Sequence, residues 1–228
     1  MRFMTDVRHE HAPAQRWETS RVEAFSDGVF AIAITLLVLE IKLVPSDFEH
    51  LGRALLDEWP AYLAYVTSFL TVGSVWIAHH NLFTRLKYVD AALLRINMLL
   101  LMAAAFLPFP TGVLAEALNA SDSAERAAIA FYGATVLVIE LLLVAGVRHV
   151  GSQPDLLVER SEAEALPTRR RHERRGWFRS LAYPVAIAFG IIVFPKAAAI
   201  AYLVVAAEGV LLLGGKGRFS LRRLLSRA

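Results

Sequence analysis

No cysteine occurs in the 228 residues, which excludes disulfides, thiolate metal ligands and a cysteine nucleophile. Charge is equally scarce inside the apolar runs: hydrophobic residues make up 56% of the chain and charged ones 20%, and the two are segregated into blocks. The mean hydropathy of +0.47 lies well above that of an ordinary soluble domain. No even-spaced ten-residue alternation suggests a β-barrel. In lipid an unpaired backbone amide is costly, so apolar blocks of this length are expected to be helices. No signal peptide is expected either, because some twenty mostly polar residues precede the first apolar run and no small-residue cleavage site follows it. These features predict an all-α, multi-pass membrane protein.

Six apolar stretches stand out, at 23–44, 59–83, 92–114, 127–147, 177–195 and 196–213, the last two short and meeting at Pro195 and Lys196. With six spans, 20 of the 24 Lys and Arg residues fall on one side of the membrane, leaving Lys42, Arg53, Arg126 and Lys196 on the other. The positive-inside rule then puts both termini in the cytoplasm, with the chain in the cytoplasmic membrane. The expected organisation is an N-terminal tail (1–20), one transmembrane domain (21–214) with a cytoplasmic basic loop (151–176), and a basic C-terminal tail (215–228). The pI of 9.4 does not point to nucleic acid, because the positive charges sit where topology places them and are not interleaved with aromatics. The loop and tail read as solvated segments beside anionic lipid.

On a helix advancing about 100° per residue, Phe25, Gly28, Thr35, Leu36 and Leu39 fall within roughly 60° of Ile32 on either side, and Asp27 about 140° away. The first span thus has a bulky apolar face with one hydroxyl, Thr35, and a separate face bearing Asp27. Spacing alone favours a core or lipid-facing stripe. Topology sets Ser26 and Asp27 at the depth of His79, His80, Asn81 and Asn97, and an ionised Asp in a membrane needs partners. Adjacent histidines diverge by about 100°, so a two-His metal chelate is not expected. Thr71-Val72-Gly73-Ser74 resembles the start of a TVGYG filter, but it lies inside a continuous apolar run and reads as small-residue packing. Glu140 and Glu208 are further intramembrane carboxylates, and Glu40 closes the first span.

Arg21-xxx-Phe25-Ser26-Asp27, the following AIAITLLVLEI, the stretch from Trp76 through His79, His80 and Asn81 to Phe83, and the helix from Asn97 to Leu107-Pro108-Phe109-Pro110-Thr111 resemble the transmembrane protein 175 family of potassium channels, in its prokaryotic single-repeat form. The likeness covers about the first 115 residues well. It implies that the first helix lines a pore, with Ile32, Leu36 and Leu39 as constricting rings and Thr35 as a threonine layer. It further implies a C4 homotetramer around a central pore, and a structural polar motif of Arg21, Phe25, Ser26, Asp27, Trp76, His79, His80, Asn81 and Asn97 joining helices one to three. Gly28 departs from the alanine more usual there. Glu40 is placed at the pore mouth, where it could attract cations. The expected function is a potassium-preferring cation channel with K⁺ as permeant ion, membrane lipids as surroundings, and no catalytic residue, cofactor, metal or nucleic acid. The alternatives are an intramembrane metal- or proton-handling enzyme built on Asp27, His79, His80 and Asn97, and a secondary transporter, for which broken helices and repeat symmetry are not evident.

Overall fold

The computed structural model describes residues 16–43, 45–118, 120–158 and 195–214. Among these, seven α-helices follow in order: α1 (Thr19–Leu36), α2 (Leu51–Asp57), α3 (Trp59–Phe83), α4 (Ala91–Phe106), α5 (Pro108–Ala117), α6 (Asp122–Ser152) and α7 (Pro195–Gly214). Two-residue strands β1 (Arg16–Trp17) and β2 (Val89–Asp90) pair antiparallel just ahead of α1 and α4. Among the described residues, four spans are long and apolar enough to cross a membrane: Thr19–Glu40, Trp59–Phe83, Ala91–Ala117 and Asp122–Ser152. They correspond to the first four apolar stretches. The sixth stretch is α7, while the fifth lies outside the described residues, as do 159–176 of the basic loop, the C-terminal tail and most of the N-terminal tail.

Each boundary has a local cause. Asp90 has extended backbone and its Oδ1 accepts the Leu93 N–H at 2.8 Å, so it caps α4. The third span is two helices rather than one: Pro108 has no N–H to offer, and a new first turn starts at that residue. Ser121 caps α6 through the Ala124 N–H. At 31 residues α6 is about 46 Å long, more than the roughly 30 Å of hydrocarbon, so one end must emerge into the polar layer. The first span begins at Thr19, four residues before its apolar run, and ends in a 3₁₀ turn, Leu37–Glu40. A 3₁₀ turn (Pro45–His50) and α2 form the connection to α3, which hydropathy alone did not resolve.

Two cores result. The larger lies among α1, α3, α4, α5, α6 and α7 and includes Phe30, Val72, Leu107, Ile129, Tyr132 and Tyr202. The smaller sits at the end where α1 begins, called here the base, and joins Val22, Phe83, Leu86, Val89, Leu93, Val150 and Leu156. There the chain leaving α6 pairs back: Lys87 N–H donates to Leu156 O at 2.8 Å, and Val158 N–H to Arg85 O at 3.0 Å. His149 near the end of α6 lies 2.8 Å from Asp90 Oδ2, so one carboxylate both caps α4 and holds α6. Partial burial raises that carboxyl, but the Leu93 N–H, His149 and the Ala92 N–H outweigh it and hold it below the ordinary aspartate value.

Candidate functional site

The first helix divides lengthwise. Val22, Ser26, Phe30 and Ala33, continued by Leu37 in the 3₁₀ turn, are buried, at the three- and four-residue spacing of one helical face. Ile32 is 61% exposed and Leu39 62%, with Phe25, Thr35 and Leu36 exposed beside them. Only 22% of the apolar window of this span is buried in the protomer, against 44–50% for the other three. Thr35 Oγ1 donates back to the helix, 3.0 Å from Ala31 O and 2.9 Å from Ile32 O, which leaves its oxygen lone pairs turned outward.

The polar groups at the base form two separate chains of bonds. In the buried one, His79 Nε2 lies 2.9 Å from Asn97 Oδ1, Asn97 Nδ2 donates to Ser26 Oγ at 3.0 Å, and Ser26 Oγ donates to Val22 O at 2.8 Å. Asn97 spends its amide as donor to Ser26, so its carbonyl accepts from His79, which fixes Nε2 as the protonated ring nitrogen. The His79 ring is 1% exposed, packed 4.1 Å from the Phe83 ring and edge-on to Phe30 at 5.4 Å. Every member of this chain is a hydrogen-bonding group removed from both water and lipid, tying α1, α3 and α4 together.

The second chain runs along the neighbouring face. Trp76 Nε1 donates to Asp27 Oδ1 at 2.8 Å, the Trp76 ring stacks on His80 at 5.8 Å, and His80 Nδ1 lies 2.8 Å from Glu23 Oε1. Glu23 was not singled out in the sequence. The signal was its spacing of four from Asp27, which puts both carboxylates on one face of α1 toward α3. His79 and His80 thus serve different chains and do not converge on a common point. Asn81 joins neither; its backbone carbonyl accepts from Thr84. Arg21 and Phe25 are exposed on the open face of α1.

The remaining candidates fall elsewhere. Glu40 turns toward α5, where it abuts Gly112, and its Oε2 lies 3.3 Å from Lys42 Nζ. Glu140 is buried in α6, whereas Glu208 is exposed on α7. Thr71 and Ser74 are buried within the unbroken α3, their hydroxyls donating to Thr67 O and Thr71 O at 2.8 Å each, so that stretch forms no filter loop. A hydroxyl belt that the sequence did not reveal crosses the middle of the bundle: Ser68 Oγ lies 2.7 Å from Thr111 Oγ1 and 3.1 Å from the Tyr132 hydroxyl, linking α3, α5 and α6.

A family profile described as "Endosomal/lysosomal potassium channel TMEM175" matches residues 21–108, which run from the start of the open face of α1 through α4. A protein named as a potassium channel in Streptomyces collinus is 41% identical over 197 residues, spanning 86% of this chain and 90% of that protein. The chain belongs to the TMEM175 family. A second protein named as a potassium channel, from Chamaesiphon minutus, is 40% identical over 168 residues, 72% of this chain and 81% of its own length. Among solved structures, that of a lysosomal potassium-selective channel TMEM175 homolog from Chamaesiphon minutus superposes with a TM-score of 0.74 at 36% identity, covering 86% of this chain and 98% of that one. Membership of the TMEM175 family places the protein among channels rather than enzymes, and both chains of base hydrogen bonds lie within the residues that the TMEM175 profile matches.

Proposed function

We propose that the protein is a potassium-preferring cation channel in which four copies of α1 surround a central C4 axis. The observation that supports this most directly is the open face of α1: Ile32, Leu36 and Leu39 are exposed in a row on the least buried of the four spans. One helix cannot enclose a conduit, so a single-repeat chain needs several subunits around an axis. On this reading Ile32, Leu36 and Leu39 set the diameter and impose a dehydration barrier that favours the more weakly hydrated K⁺ over Na⁺. Thr35 oxygens replace part of the lost water. The two chains of bonds at the base hold α1 at a fixed rotation against α3 and α4, so that this row faces the axis. Arg21 and Phe25, on the same open face, meet neighbouring subunits.

The distribution of Lys and Arg supports six spans with both termini cytoplasmic, in a cytoplasmic membrane and surrounded by lipid. On that orientation the base is the cytoplasmic end of the pore. The reading requires K⁺ as the permeant ion and no cofactor.

The test is electrical. In planar bilayers under a K⁺/Na⁺ gradient, Ile32→Asn raises flux and moves the reversal potential toward zero, while Thr35→Ala lowers potassium preference with a smaller change in flux. Reversal potentials equal to wild type in both variants would refute the assignment of α1 to the pore wall.

A further inference from the structure

The far end of α1 is closed by an unusually close approach. After the 3₁₀ turn Leu37–Glu40, Leu37 is fully buried and Ile41 packs on the main core, so the turn is rolled inward toward α3 and α5. Glu40 follows it. Its carboxylate rests on the backbone of α5 at Gly112, where a β-carbon would overlap Oε2 and crowd Cδ. The Glu40 side chain is only 24% exposed, and Lys42 Nζ lies 3.3 Å from Oε2 and 4.0 Å from Glu116 Oε1. Leu39, one residue earlier, is 62% exposed on the open face. The chain therefore parts at this point: Leu39 faces outward, while the adjacent charge is drawn back into its own protomer.

We infer that Gly112 is a positioning residue for conduction: by leaving a seat on α5 it holds Glu40 off the ion path, paired with Lys42, so that the outer mouth presents no bare ring of four carboxylates. The inference rests on the reading that α1 lines the pore. Its physical consequence is electrostatic. Carboxylates at a narrow mouth raise the local cation concentration, and their effect fades as salt shortens the Debye length from about 30 Å at 0.01 M to about 3 Å at 1 M. A side chain at Gly112 would collide with the flexible tip of Glu40 and not with backbone, so the carboxylate swings away while the helices keep their places.

Single-channel K⁺ conductance of the assembled protein at low and high KCl tests this. Gly112→Ala is expected to raise conductance severalfold at about 0.01 M and to leave it within twofold of wild type at about 1 M. Adding Glu40→Gln to Gly112→Ala is expected to abolish the rise. Neutralising the seated pair together, Glu40→Gln with Lys42→Gln, is expected to leave conductance within twofold of wild type at both salts. The inference is overturned if the paired neutralisation lowers low-salt conductance severalfold, which would place Glu40 already at the mouth. It is also overturned if Gly112→Ala changes nothing, or if its rise persists with Glu40→Gln or at high salt, which would make the effect steric. Should Gly112→Ala fail to assemble, the paired neutralisation still decides. Failure of the pore reading itself is distinguished by Ile32→Asn, which would then leave the currents unaltered.

Discussion

The spans built on α1 and α3 are both long enough to cross a membrane, yet the one whose apolar window has the higher mean hydropathy is the less buried: 22% of the α1 window is covered by its own protomer and 44% of the α3 window. The inside of α3 is instead its more polar side, with Thr67, Ser68, Thr71, Ser74 and His79 all enclosed. In lipid the apolar medium outside a helix is as hospitable to Leu as the core is, so association depends on close packing and on hydrogen bonds that lipid cannot supply. Small and hydroxylated residues therefore turn inward on α3, and a row of large apolar side chains is left outside on α1. Hydropathy reports how well a helix tolerates a dry environment and not which surface supplies it.

The sharpest way to break this comparison is to truncate the two faces of α1 separately. Phe30→Ala removes a ring that is 1% exposed and is expected to cost about 3–5 kcal/mol, read as a fall in the thermal unfolding midpoint. Ile32→Ala on the open face is expected to cost less than about 1 kcal/mol while still altering ion flux. Equal losses of stability would mean that both faces are packed alike.

Next in size is the buried chain of bonds. Asn97→Ala strands His79 Nε2 and deprives Ser26 of a donor, at about 1–3 kcal/mol for each orphaned group, with values in membranes toward the low end. Trp76→Phe removes one bond from the more exposed chain and is expected to cost about 0.5–1.5 kcal/mol. If the order is reversed, it is Asp27 and not Asn97 that anchors α1. Of similar size is Tyr202→Phe, which loses the bond from the Tyr202 hydroxyl to Ile129 O at 3.2 Å, at about 0.5–1.5 kcal/mol, and tests how firmly α7 is tied to α6.

The smallest effect is expected at the base, outside the spans. The Asp90 carboxyl is held below its ordinary value, so its contribution to stability is complete above the unfolded pKa of about 3.9 and is lost as pH falls through the folded value. Asp90→Asn keeps a capping oxygen but gives up the carboxylate that contacts His149. The variant is expected to show a shallower loss of stability than wild type as pH is lowered below the ordinary aspartate pKa of about 3.9, measured by thermal melts at successively lower pH.

Several particulars of the site were legible in the residues because they depend on rotation about one helix. The common face of Ile32, Thr35, Leu36 and Leu39 follows from 100° steps, and the meeting of Ser26, His79 and Asn97 at one depth follows from counting residues along alternating spans. Contacts that depend on how two helices approach were not legible. The pairing of Glu23 with His80 needs the rotation of α3 about its axis, and the seat of Glu40 on Gly112 needs the distance between α1 and α5. The break between α4 and α5 stood in the sequence as Leu107-Pro108, but hydropathy runs smoothly across it and conceals the restart that a missing N–H imposes.

Sequence alone was enough for the helical state of the apolar blocks that fall within the described residues and for the grouping of side chains on the face of α1, because backbone satisfaction in lipid and the fixed pitch of a helix leave little freedom. Only the tertiary structure decided which face of α1 is covered and which stays open, and where Asp27, Glu23 and Glu40 find partners. Those outcomes depend on inter-helix distances and rotations of a few ångströms and tens of degrees, set by the packing of all the helices together rather than by any one segment.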